Sequence, residues 1–249
     1  MTGEQETVDT CLPILAQALG RPLSELARYW ADLKADAEFM AAINRAVAGV
    51  PEFGGKVFLH PSEFRTYRCM LYLVTRALGP ELFVETGVHN GLGSAFILRA
   101  LEHNGRGVLH SIDLPSSEPA ILEQGNRQMP AGRPPGWVIP PELRARHRLH
   151  IGPAQEELPK LLAAIGPIDV FLHDSDHSYQ HMMFELRTAW PHLKPSGLVL
   201  CDNIEANSAW FDFESEVTGR GWVVASFDQP ERVWKHGLLP ARPAGGRHR

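Results

Sequence analysis

The stretch Leu82-Phe83-Val84-Glu85-Thr86-Gly87-Val88-His89-Asn90-Gly91-Leu92-Gly93-Ser94 constrains the fold more than any other. An apolar run ending in an acid leads through three glycines into Ala95-Phe96-Ile97-Leu98-Arg99-Ala100-Leu101. The pattern predicts a buried parallel strand, a tight turn and a helix. Gly87, Gly91 and Gly93 can adopt φ > 0 and present no Cβ to a ligand. The helix that follows aims its unpaired N–H groups at the same place. A nucleotide-like molecule is the natural occupant of such a turn.

A dinucleotide fingerprint places Gly-x-Gly-x-x-Gly directly after the strand. Here the order is Glu-x-Gly-x-x-x-Gly-x-Gly, and the Glu85 carboxylate at the strand end disfavours a pyrophosphate and suits a cofactor carrying an amine or positive charge. Gly107-Val108-Leu109-His110-Ser111-Ile112-Asp113 predicts a second strand ending in an acid, about twenty residues beyond the turn, where a carboxylate can accept hydrogen bonds from ribose hydroxyls. At these residues the chain resembles the class I S-adenosylmethionine-dependent methyltransferases. The resemblance implies an α/β fold, a Rossmann-like, doubly wound, mainly parallel seven-stranded sheet with an antiparallel last strand. It also implies S-adenosyl-L-methionine as cofactor, its methionine end held by Glu85, Thr86, Gly87, Asn90, Gly91 and Ser94 and its ribose by Asp113. The plainer reading is a solvated strand end and an ordinary βα turn.

Composition narrows the rest. A formal charge of −5 over 249 residues leaves no electrostatic footprint for nucleic acid. Three cysteines, Cys11, Cys69 and Cys201, indicate no disulfide framework. Without a signal peptide or a long apolar span, the expected location is cytoplasmic, with no membrane association.

Residues 1–55 are expected to be an N-terminal helical extension, with helical spacing over 12–19 and 23–47, serving as a cap or in homodimerisation. Residues 56–238 are expected to be the methyltransferase domain and 239–249 a disordered Pro/Gly/Arg-rich tail. His60-Pro61-Ser62-Glu63 is expected to start a helix through Leu78, with Phe64 and Tyr67 as core residues. Residues 114–148 carry seven prolines and many arginines, and a connection of this length over the carboxyl ends of the sheet reads as a lid. Leu149-His150-Ile151 is a short third strand. Methyltransferases commonly carry an acid after this strand to meet the adenine; Pro153 stands there, leaving Ala154 and Gln155 to take that part.

A second centre lies at Ile168-Asp169-Val170-Phe171-Leu172-His173-Asp174-Ser175-Asp176-His177-Ser178-Tyr179, a strand ending among carboxylates and imidazoles. Lys194-Pro195-Ser196-Gly197 then precedes the strand Leu198-Val199-Leu200-Cys201-Asp202-Asn203. In open parallel sheets neighbouring strand ends form the ligand crevice, so Asp174, Asp202 and Asn203 can converge. Oxygen donors of this kind suit Mg²⁺. The pattern resembles the cation-dependent O-methyltransferases of the catechol type and the macrolide-sugar and cephalosporin-pathway group. By that resemblance Asp174, Asp202 and Asn203 are metal ligands, Asp174 also borders the cofactor, and His177 is the base. Asp176 caps the following helix or orients His177. The spacing of His173, His177 and His181 does not put them on one face for zinc, and Cys201 reads as a buried thiol.

The expected function is O-methylation of a small hydroxylated acceptor, a sugar, phenol or catechol-like natural-product intermediate, assisted by a divalent cation. Metal-free O- or N-methylation with His177 as base is the alternative. A nicotinamide-dependent oxidoreductase lacks its glycine fingerprint here, and a non-catalytic binding protein is disfavoured by the crowded Asp/His crevice. Trp210, Phe211 and Phe213 are candidates for an aromatic acceptor pocket.

Overall fold

The computed structural model describes residues 8–50, 53, 55, 57–60, 63–114, 132–229 and 232–241. The strands are β1 Leu82–Thr86, β2 Val108–Asp113, β3 His147–Ile151, β4 Ile168–His173, β5 Leu193–Cys201, β6 Trp222–Gln229 and β7 Arg232–Pro240. They form one sheet in the order β3-β2-β1-β4-β5-β7-β6. β1 to β5 pair in parallel, and β7 runs antiparallel to both β5 and β6. This is the doubly wound arrangement with an antiparallel last strand that the resemblance implied. After β3 the chain returns to the other side of β1, which makes the carboxyl ends of β1 and β4 the switch point where such sheets bind ligands.

The central strands β1, β4 and β5 are buried on both faces, and the side chains of the sheet divide by the two-residue period. Phe83, Leu109, Val170, Leu172, Leu198 and Leu200 point to one face, with α1 Val8–Leu19, α2 Leu23–Lys34, α3 Ala37–Val47, α4 Thr66–Leu78 and α5 Leu92–His103. Val84, Ile112, Phe171, Val199 and Cys201 point to the other, with α6 Ala154–Ile165, α7 Tyr179–Ala189 and α8 Ala209–Glu216. The three N-terminal helices thus share one continuous core with the sheet. Arg99 of α5 locks them on, its Nε and Nη2 lying 2.6 and 2.8 Å from the Asp36 carboxylate.

Several boundaries differ from the sequence reading. Residues 23–47 form two helices, because the Asp36 side chain accepts a hydrogen bond from Phe39 N–H and caps a new start. The helix expected from His60 begins at Thr66, since the Glu63 carboxylate is turned back onto the Leu59 and His60 amides. Gly79 closes it in the left-handed region at φ 56°, as a helix stop requires. Lys194-Pro195-Ser196-Gly197 belongs to β5, bulged out where the register jumps from Ile168↔Leu193 to Val170↔Leu198. β7 continues past His236 to Pro240, so the tail assigned from 239 starts inside a strand; 242–249 lie outside the described residues.

Of the expected lid, 115–131 lie outside the described residues, and the portion that follows is not a flap. Trp137, Val138, Ile139 and Leu143 are buried in the core. Gly136 N–H and Val138 N–H donate to the carbonyls of His89 and Asn90, both at 2.9 Å, so this segment buttresses the glycine turn.

Candidate active site

The ends of β1, β2, β4 and β5 open onto one cavity of about 590 Å³. Its size is in the range of small-molecule and cofactor sites. Glu85, Gly87, Asn90, Ser94, Asp113, Ala154, Gln155, Asp174, His177, Asp202 and Asn203, all expected at the site, line it. Thr86 and Gly91 do not line it. The Thr86 hydroxyl is buried and donates to Glu185 at 2.6 Å.

The turn after β1 is held from behind. Gly87 has φ 83°, and a Cβ there would sit 1.9 Å from the Asp174 carbonyl oxygen. Gly91 has φ 86°, and its Cβ would meet Gly136 Cα at 2.5 Å. These two glycines are therefore required by protein packing against the turn, not only by a ligand. Gly93 lies within α5 without positive φ, contrary to the reading of all three glycines alike. Asp113 Oδ2 accepts from the amides of Val88 (2.9 Å) and His89 (2.6 Å), which fixes the turn's position relative to β2.

Glu85 is buried, and its Oε1 accepts from the hydroxyls of Ser94 (2.5 Å) and Ser111 (2.7 Å). Burial pushes its pKa up to about 7, against the two serine bonds, which pull it down. A carboxylate so desolvated is a ready partner for an ammonium group. Across the cavity, Gln155 Nε2 lies 2.9 Å from His181 Nδ1, and His181 Nε2 lies 2.7 Å from Glu185 Oε1.

The second centre is held by residues from remote parts of the chain. Tyr67 on α4 donates its hydroxyl to Asp174 Oδ2 at 2.9 Å. Tyr67 also stacks on His236 of β7, ring centroids 4.6 Å apart. His236 Nδ1 lies 2.5 Å from Asp202 Oδ1, and its Nε2 lies 3.2 Å from the Ser226 hydroxyl. One oxygen of each carboxylate is thus occupied from outside. Ligand atoms of Asp174, His177 and Asp202 come within 4.8 Å of one another, close enough to share one cation. His177 Nε2 is buried, without a hydrogen-bond partner, and 4.0 Å from Asp174 Oδ1. Asn203, at φ 50°, borders the same cavity, and its Nδ2 lies 3.3 Å from Glu205 Oε1.

The electrostatics of this cluster are those of two acids forced together. Burial and the neighbouring Asp202 carboxylate raise the Asp174 pKa, while His236 holds Asp202 below its ordinary value in spite of burial. Burial and His173 lower the pKa of His177, keeping its imidazole neutral and its lone pair available. Excess negative charge facing an orphaned imidazole nitrogen fits a divalent cation in its donor chemistry.

Beneath the site, buried Glu185 of α7 gathers Thr86, His173 (2.5 Å), Ser175 (2.8 Å) and His181. Burial works against its charge, but the histidines outweigh it and hold the pKa at about 2. Asp176 accepts from Ser178 N–H at 2.9 Å, next to the start of α7. Cys201 is buried with its pKa raised by burial, so no thiolate nucleophile is available there.

Residues 84–204 match the protein family described as "Methyltransferase domain". Over this stretch, just under half of the chain, the sequence is that of a methyltransferase domain by similarity. No curated protein matches the chain significantly. Solved structures similar to it include the O-methyltransferase of Bacillus cereus in complex with S-adenosylhomocysteine, at TM-score 0.56 and 11% identity, covering 84% of this chain and 99% of that one. An O-methyltransferase of Streptomyces achromogenes involved in tomaymycin synthesis, in complex with S-adenosylmethionine, aligns at TM-score 0.54 and 15% identity over 87% and 95% of the two chains. The S-adenosylhomocysteine-bound methyltransferase of Podospora anserina aligns at 0.51 and 13%, over 86% and 93%. No helix among the described residues is long and apolar enough to cross a membrane.

The sequence reading missed Tyr67, which it placed in the core, and it missed His236 and Trp234 as well. The expected aromatic pocket is not where Trp210 and Phe213 lie: both are fully buried beneath β7, and Phe211 is exposed away from the cavity. Trp234 lines the cavity instead, with the Arg65 guanidinium 5.3 Å above its ring.

Proposed function

We propose that this methyltransferase methylates a hydroxyl oxygen of a small hydroxylated acceptor, a sugar, phenol or catechol-like natural-product intermediate, with help from a divalent cation. The observation that carries the reading is the cluster of Asp174, His177 and Asp202 at the mouth of the same cavity that Glu85 and Asp113 enter. The similar structures of two O-methyltransferases, one with S-adenosylhomocysteine and one with S-adenosylmethionine bound, support it.

When bound, S-adenosylmethionine supplies an electrophilic methyl on a sulfonium, and a cation such as Mg²⁺ supplies Lewis acidity that makes a hydroxyl easier to ionise. Glu85 would receive the cofactor's ammonium, Asp113 its ribose, and Ala154 with Gln155 its adenine. The chain's part in the displacement is alignment, because acceptor oxygen, methyl and sulfur must lie in line. Asp174 and Asp202, each fixed by its own partner, would hold the cation beside Asn203. His177, neutral near pH 7, would take the hydroxyl proton on Nε2.

The close approach of His177 Nε2 to the carboxylates favours a second reading, in which His177 is the third ligand in place of Asn203. Calorimetric Mn²⁺ titration of His177→Ala and Asn203→Ala separates them. If His177 is the base, its loss stops turnover and leaves cation affinity unchanged, whereas Asn203→Ala weakens it. The opposite pattern makes His177 the ligand. Full activity of both Asp174→Ala and Asp202→Ala would remove the cation from the account.

A further inference from the structure

We infer that the acceptor is an acid, a hydroxylated aromatic compound whose anionic group is bound by Arg65 and Arg68. The inference narrows the substrate class of the proposal above and rests on its cation-assisted reading. The cavity wall on the side of α4 and β7 is built in two layers. In the inner one Tyr67 stacks on His236, and these two hold Asp174 and Asp202. Alternation along β7 brings Trp234 to the same face as His236. Because β7 runs antiparallel to β5, with Gly237 opposite Cys201, Trp234 lies farther beyond the carboxyl ends of the sheet than His236 does. There the Arg65 guanidinium sits 5.3 Å above the Trp234 ring, and both residues line the cavity. Arg65 and Trp234 thus form an outer layer beyond the carboxylates.

Arg68 follows Tyr67 on α4 and lines the same wall. Burial and the like charge of Arg65 lower its pKa to about 10, against the attraction of Asp174, so it is charged at neutral pH. In the free protein Asp174 therefore answers Arg68 as well as Tyr67. A divalent cation at Asp174 and Asp202 would set two positive charges against two carboxylates and cancel them, leaving Arg65 and Arg68 short of counter-charge. Asp176, the next acid after β4, is exposed and accepts from Ser178 N–H. The wall then combines an indole face with two cations, an arrangement that is costly until an anion meets it. A guanidinium fork takes a carboxylate or a phosphoryl group through parallel hydrogen bonds, and a flat ring packs on an indole. An acceptor with its reacting hydroxyl at Asp174 and Asp202 reaches the outer layer with its far end, and that is where its anionic group belongs.

The test is calorimetric titration of the full chain, saturated with S-adenosylhomocysteine and Mg²⁺, with 3,4-dihydroxybenzoate and with its neutral isostere 3,4-dihydroxybenzamide. The expected result is that the wild type prefers the acid by about 10- to 100-fold, the scale of hydrogen bonds to a charged group. Arg65→Gln and Arg68→Gln each reduce that preference, and the double variant brings the two affinities to within about threefold of each other. Thermal melts verify that each variant is folded, and the wild-type comparison needs no variant. Titration with 3,4-dihydroxyphenylphosphonate tells which anion the arginines take: tighter binding than the benzoate assigns a phosphoryl group, weaker binding a carboxylate. Equal affinity of the wild type for acid and amide, or a preference that the double variant keeps, overturns the inference. Failure of every catechol to bind while S-adenosylhomocysteine binds overturns the cation-assisted reading itself, and the inference with it.

Discussion

Glu85 is a buried acid whose carboxyl is held by two serine hydroxyls. Its pKa near 7 is well above the ordinary 4.5, so the free protein holds a proton on it that the unfolded chain has already lost. Between about pH 4.5 and 7 this group therefore makes the unliganded fold less stable as pH rises. Cofactor binding has the opposite sign, because an ammonium prefers the ionised carboxylate. Affinity for S-adenosylhomocysteine should climb by up to about tenfold per pH unit below 7 and level off above it. Glu85→Gln should flatten that dependence in calorimetry; an unchanged slope would place the titrating group elsewhere. At the second centre, Tyr67→Phe keeps the ring stacked on His236 but removes the hydroxyl that holds Asp174. A hydrogen bond to a charged group contributes about 1.5–3 kcal/mol. Turnover should accordingly fall about 10- to 100-fold, and the melting temperature should drop by several degrees without loss of the folded state.

At the scale of elements, what was legible in the sequence was local. β1, its glycine turn and β4 announce themselves as continuous apolar runs ended by acids, and Glu85, Asp113, Asp174 and Asp202 follow from their places at strand ends. Tyr67 and His236 were not legible for the same reason: α4 and β7 carry them, and only the closed sheet brings them to the strand ends. Trp234 belongs to the same class, while Trp210 and Phe213 were misplaced because an aromatic run looks alike in a pocket and in a core. The break at Asp36 was readable as a capping residue, but the apolar spacing ran through it. Glu185 joins three elements, bonding the ends of β1 and β4 to α7. Glu185→Ala leaves a buried histidine network uncompensated and should destabilise the fold by about 3–5 kcal/mol, measured by urea denaturation. A loss below 1 kcal/mol would mean that the network is not held by its charge.

At the scale of the whole molecule, the N-terminal helices are part of the sheet's own core. Leu15, Leu26, Leu33 and Ile43 are fully buried in the cluster that includes Phe83 and Leu172. Removing residues 1–50 should therefore give an unfolded or aggregated product in circular dichroism and gel filtration, not a trimmed and active enzyme. The cavity itself joins two sets of groups, Glu85 and Asp113 at β1 and β2, proposed to meet an amine and a ribose, and an acid–imidazole cluster at β4 and β5. The account depends on both halves acting on one reaction. Calorimetric titration of EDTA-treated protein with S-adenosylhomocysteine, with and without Mg²⁺ and then with a catechol, tests this most directly. The account predicts that S-adenosylhomocysteine binds without the ion and that catechol binds only once Mg²⁺ is present. No binding of S-adenosylhomocysteine, or catechol binding indifferent to Mg²⁺, would contradict it.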